Sequence, residues 1–218
     1  MPDDSVRKFS EATKGMTGRQ KIGYIWEYYK PQILMSAFVL VLLAIALDSF
    51  VINPAKKSFA SVNFYKKIVS EDTLDTLQTD LTKSVVPEND RKEYAVFVNS
   101  HMTATEPQAL SAQVTRFAGD MMSQKLDVFL LEPSVLVSEF LTAGYLRDMT
   151  TVLSEAQLKK YEHLLLYDSA GFCFGLRLDT SKYLDRLGLS GLELCVTVNS
   201  VRVAQARRII DFLLKEEI

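Results

Sequence analysis

ILMSAFVLVLLAIALDSFVI, residues 33–52, is an apolar run broken only by Ser36, Asp48 and Ser49. A bilayer core about 30 Å thick needs roughly 20 apolar residues at 1.5 Å rise each, so this run is just long enough to cross. A helix there satisfies its own backbone hydrogen bonds, which lipid cannot do for it. The expectation is therefore a tail over residues 1–30, a transmembrane helix over 31–53 and a folded domain over 54–218. Two other readings of the run fare worse. A cleaved signal has an apolar region of about 7–15 residues near the N-terminus, whereas some thirty residues precede this one. A buried helix of a soluble core would carry a polar stripe.

The flanks fit a span. Tyr24, Trp26, Tyr28 and Tyr29 gather on its N-terminal side, where amphipathic rings suit the headgroup layer. Pro31 marks the entry, and Asp48 lies within a turn of the far end, where a carboxylate reaches interfacial water. Flanking charge does not fix orientation: Arg19, Lys21 and Lys30 precede the run, and Lys56, Lys57, Lys66 and Lys67 follow it. A short tail with a late apolar segment has the form of an uncleaved signal anchor. That places the tail in the cytoplasm and the domain outside the cell membrane.

Residues 33–218 carry nineteen Lys/Arg against twenty-three Asp/Glu, so the domain is slightly acidic. Nucleic acid is excluded as a main partner, because phosphate backbones demand a concentrated basic face. The lipid bilayer is the expected partner, together with a membrane or envelope protein and a small ligand if one binds.

Beyond the span, the pattern alternates. Ala60–Tyr65 reads as a strand, and Ser70 caps a helix with Leu74, Leu77, Leu81 and Val85 on one side. After a turn at Pro87–Asp90, Tyr94–Val98 is a second strand, and Thr105–Gln108 has the form of a capping box. The helix it opens puts Leu110, Val114, Phe117 and Met121 on one face, with Met121-Met122 read as core packing. Leu126–Leu131 is a third, nearly all-apolar strand, as expected when both faces are covered. Short helices follow Pro133 and Ser154, then strands at Gly171–Leu178 and Leu192–Val198, and a terminal helix capped by Asn199 or Ser200. The β-α-β-α-β order predicts an α/β domain, with a mixed, largely parallel sheet sandwiched by helices.

Three stretches of the domain carry a resemblance. Asp127-Val128-Phe129-Leu130-Leu131, then Gly144-Tyr145-Leu146-Arg147-Asp148-Met149-Thr150, and finally Val198-Asn199-Ser200 before an amphipathic helix, are similar to type 2 extracellular solute-binding proteins. The opening Lys21–Lys30 ahead of a span resembles a group of single-span envelope proteins of low-GC Gram-positive bacteria. The resemblance implies an extracytoplasmic domain built like one lobe of a solute-binding protein. Such proteins close two lobes on a ligand, and this chain has material for about one.

Motifs for catalysis, cofactors or metals do not occur: there is no H-E-x-x-H, C-x-x-C, G-x-S-x-G, Walker loop or G-x-G-x-x-G. The expectation is therefore a non-enzymatic domain with no cofactor or metal, any active site having to be assembled from scattered residues. Open α/β sheets bind ligands beyond the carboxyl ends of strands, which selects Asn99, Ser100, His101, Glu132 and Ser134; the alternative is polar loop residues that cap their own backbone. Cys173 and Cys195 fall on two strands and are either a disulfide, as an exported domain permits, or two small buried hydrophobes. The function expected is a membrane-anchored binding or interaction module, accessory to a transporter or envelope complex. Its alternatives are an envelope enzyme with a scattered active site, or a ligand sensor relaying to a partner protein.

Overall fold

The computed structural model describes residues 13–48 and 55–215, in two compact units that divide between Ala55 and Lys56. Residues 1–12 of the expected tail and 49–53 of the expected span lie outside the described residues.

The first unit is a helix, α1 (Gly18–Leu47), which runs through Pro31 rather than starting there. A proline inside a helix removes one backbone donor and is tolerated at that cost. Within it, Tyr29–Leu47 is 19 residues of apolar helix with no position buried. A core helix of a soluble protein would be mostly covered, so this one has the character of an anchor or a signal sequence. Trp26 is exposed, with Lys30 Nζ 5.9 Å from its ring centre, and Tyr24 and Tyr29 flank it on the same helix. The side chain of Tyr28 lies outside the described residues.

The second unit is a six-stranded sheet with helices on both faces. In chain order its elements are β1 (Lys57–Tyr65), α2 (Glu71–Val85), β2 (Tyr94–His101), α3 (Pro107–Met122), β3 (Val128–Leu131), α4 (Pro133–Val135) continuing as a π-helix (Leu136–Leu141), α5 (Met149–Val152), α6 (Glu155–Lys160), β4 (Leu165–Tyr167), β5 (Cys173–Arg177), α7 (Lys182–Arg186), β6 (Glu193–Val196) and α8 (Val203–Leu213). Across the sheet the order is β2-β1-β3-β6-β5-β4. β1 pairs in parallel with β2 and β3, as the alternating pattern predicts, while β6, β5 and β4 each join antiparallel. The sheet is therefore mixed, and its antiparallel half corrects the expectation of a largely parallel one.

Local signals explain the helices that were expected. Ser70 accepts the Thr73 N–H at the start of α2, and Ser154 with Gln157 forms a capping box at α6. Pro107 takes the first position of α3, which makes Glu106 the cap and leaves Thr105 one residue too early for its box. The α3 stripe engages the sheet through its second half: Phe117 is half-buried and Met121 buried, but Val114 is 47% exposed. Met122 turns outward, contrary to the core role expected of it. β4 and α7 are too short to have left a periodic signal.

Two clusters of apolar side chains lie on opposite faces. One, under α2 and α8, joins Val62, Phe64, Leu77, Leu81, Val128, Leu130 and Ile210. The other, under α3 and the π-helix, is smaller and aromatic, built on Phe129, Phe140, Leu136 and Met121 with Tyr65 and Phe117 at its edge. The free edge of β2 is closed by α2: the Val96 N–H donates to Thr82 Oγ1 at 3.0 Å and the Val98 N–H to Gln78 Oε1 at 3.2 Å. Those bonds occupy donors that another strand would need.

Cys173 and Cys195 are both free and buried, which corrects the candidate disulfide. Their strands are neighbours, but Cys173 belongs to the cluster under α2 and α8 and Cys195 to the aromatic one, on opposite faces of the sheet. Side chains on opposite faces cannot meet the geometry of a disulfide. The buried-hydrophobe alternative describes both, and burial pushes each thiol above its ordinary range.

Candidate functional site

β2 is longer than the sequence suggested. Pairing with β1 continues through Asn63–Asn99, Phe64–Ser100 and Tyr65–His101, so these three residues lie on the strand rather than beyond its end. Alternation along the strand then separates them. Asn99 and His101 face α3, whereas Ser100 turns the other way and donates its hydroxyl to the Lys67 carbonyl at 2.6 Å.

On the α3 side, a cleft of about 270 Å³ is lined by Asn99, His101, Ser58, Ser61, Phe97 and the charged trio Arg116, Asp120 and Lys125. A bulge at Phe59, where the β1–β2 register slips between Ser58 and Ala60, brings Ser58 to the same cleft as Ser61. Arg116 and Asp120 are one turn apart on α3, with Nε 3.7 Å from Oδ2, and Lys125 Nζ approaches Oδ1 of the same carboxylate to 3.6 Å. These contacts are ion pairs at long range, and both cations remain largely exposed.

His101 is the most constrained member. Asn63 donates its amide to Ser61 Oγ at 3.0 Å and to the Val128 carbonyl at 3.2 Å, so Asn63 Oδ1 is left to accept. His101 Nε2, 3.1 Å away, must therefore carry the proton, and the neutral ring keeps a lone pair on Nδ1. Burial lowers the His101 pKa below its ordinary value, Asp120 opposes the shift, and Arg116 adds to it. Phe117 contacts the ring edge-on at 5.6 Å and Phe129 lies 6.4 Å away. The cleft thus offers an acceptor nitrogen, an amide and two cations around a small polar space. Among the described residues, His101 bonds to no hydroxyl or thiol that it would activate as a base.

The remaining expected residues lie elsewhere. Glu132 is exposed at the end of β3 and pairs with Lys67 at 3.4 Å. Ser134 is exposed on α4, where its carbonyl accepts the Ser138 hydroxyl. Nearby, Lys66 pairs with Glu139 at 2.7 Å, and burial with the Glu139 charge pushes the Tyr65 phenol up to about 12. The carboxyl ends of β1 and β3 thus carry partly exposed ion pairs, while the cleft with Asn99 and His101 lies on the sheet face. Ser61, Arg116, Asp120 and Lys125 escaped the sequence reading, although polar residues at alternate positions, Ser61 and Asn63 in β1 and Asn99 and His101 in β2, were the signal for a polar sheet face.

The stretches Asp127–Leu131, Gly144–Thr150 and Val198–Ser200 meet one another. Asp127, fully buried, accepts from the Ser61 N–H at 2.8 Å, from Ser200 Oγ at 2.7 Å and from Arg202 Nε at 2.8 Å. Arg147 donates to the Val198 and Ser200 carbonyls, and Asp148 caps α5 by accepting the Thr150 N–H. Ser200 is thereby a partner of Asp127 rather than the cap of α8, which begins at Val203. The motifs act as a latch holding β1, β3 and the approach to α8 together. No family model, curated protein or solved structure matches the chain.

Proposed function

We propose that this protein is a membrane-anchored extracytoplasmic binding or interaction module, accessory to a transporter or envelope complex. The observation that carries the proposal is the exposed apolar helix Tyr29–Leu47, joined to the α/β domain by the nine residues between Leu47 and Lys57. So short a connection raises the effective concentration of the domain towards anything held in the same membrane. The domain, likened by its motifs to one lobe of a type 2 solute-binding protein, offers the His101 cleft to a small polar solute or to a polar segment of an envelope protein. Its chemistry suits recognition, since a buried neutral imidazole and an amide fix orientation while Arg116 and Lys125 attract negative charge.

The test is alkaline extraction of membranes followed by protease treatment of intact cells. The chain is expected to stay in the membrane pellet, with its domain digested from outside. Release by alkali, or full protection of the domain, would overturn the proposal.

A further inference from the structure

At a second place on the domain, three cations line a groove with a single carboxylate among the described residues. An open groove of about 580 Å³ lies where α2 and α8 end, and Arg91, Arg208 and Lys215 line it. None of the three makes an ion pair with a described residue. Among the described residues the one carboxylate in the groove, Asp211, is already engaged at both oxygens, by Gln157 Nε2 and the Tyr161 hydroxyl, each at 2.9 Å.

The arginines are held in place. Arg91 donates Nε to the Val86 carbonyl at 3.0 Å, and Arg208 donates Nη1 to the Val85 carbonyl at 3.4 Å while lying 6.0 Å from the Phe59 ring centre. Those carbonyls end α2, so the negative end of the helix fixes both side chains and leaves most of each guanidinium fork unused. Val86, Pro87 and Phe212 supply an apolar floor. Two anchored forks and one exposed ammonium around an open space match a group with several charged oxygens.

We propose that this groove binds a phosphoryl group, carried either by a free phosphate or by an anionic phospholipid headgroup. The site is separate from the His101 cleft, and the inference stands whether or not that cleft binds anything.

The test uses the full chain in nanodiscs, reading hydrogen exchange over residues 84–91 and 208–215. Inorganic phosphate added to phosphatidylcholine discs is expected to slow exchange there if the source is free phosphate. Discs of phosphatidylglycerol without added phosphate do so if the source is lipid, and either result supports the site. The R91Q/R208Q double variant should weaken the response roughly tenfold or more. Should that variant fail to fold, Lys215→Gln, which is exposed and caps nothing, should still weaken it. No slowing in either arm, equal slowing by acetate at the same ionic strength, or a response unchanged in these variants would overturn the proposal.

Discussion

Towards α2 and α8 the central strands β1 and β3 present Val62, Phe64, Val128 and Leu130, all fully buried, while Ser61 and Asn63 of β1, His101 of the edge strand β2 and Asp127 just ahead of β3 face the other side. Both faces are covered, but the second sets these polar side chains beside its aromatic cluster. On the polar face, no buried side-chain nitrogen or oxygen among the described residues lacks a partner. That satisfaction is what makes the face tolerable, because a buried polar atom left unpaired costs far more than its bond returns. The comparison teaches a division of labour: apolar packing under α2 and α8 stabilises the fold, and the polar face fixes register and leaves a cleft. A slip of one residue along β1 would exchange the two faces, so the contrast itself specifies the pairing.

Breaking the face under α2 and α8 should cost most. Phe64→Ala removes a fully buried ring and is expected to destabilise the domain by about 3–5 kcal/mol. Chemical denaturation measures this, and a loss below about 1 kcal/mol would mean that the core under α2 and α8 is not the stabilising one. On the polar face, Asp127→Ala leaves the Ser200 hydroxyl, Arg202 Nε and the Ser61 N–H without their acceptor, while Arg202 Nη2 keeps the Gln124 and Lys125 carbonyls. Because Arg202 keeps 21% of its side chain in water, the cost should fall near the lower end of the range for a broken buried pair, about 3 kcal/mol. A near-neutral outcome would contradict the latch.

His101 sharpens the contrast through pH. Its unfolded ring takes a proton near pH 6.5, and burial makes the folded ring take it only at lower pH. Below about pH 6.5 the unfolded state thus binds more protons, so stability is complete above that value and falls as pH drops, by at most about 1.4 kcal/mol per unit. Arg116 strengthens this dependence and Asp120 weakens it. Unfolding curves between pH 5 and 7 should flatten in His101→Gln; an unchanged slope would remove His101 as its source. The smallest expected effect concerns the thiols. Cys173 and Cys195 should both read as free by mass and stay unreactive towards alkylating reagents until the domain unfolds. A mass two daltons short would restore the disulfide.

Long periodic or capped segments were legible from sequence. Ser70 and the Leu77–Leu81–Val85 stripe gave α2, and the alternation of apolar runs with helices gave the parallel half of the sheet. The antiparallel half was not, since β4, β5 and β6 have three to five residues each and strand direction leaves no local mark in so short a run. Asn99 and His101 are expected beyond a strand end, whereas pairing with β1 carries β2 through both of them and puts them on the sheet face, where they line the cleft. Arg116, Asp120 and Lys125 were not legible, because only the crossover from β2 to β3 brings them over the cleft. Asp127 was quoted as a motif residue, but its partners Ser61 and Arg202 lie 66 and 75 positions away.

Recognition by the polar face is tested most directly by placing a photo-crosslinking residue at Asn99, inside the cleft, and separately at Asp75, exposed on α2, in the full chain in native membranes. A discrete adduct that forms from Asn99, is absent from Asp75 and disappears when Arg116 and Lys125 are neutralised is the predicted result. Equal labelling from both positions, or adducts indifferent to those charges, would contradict it.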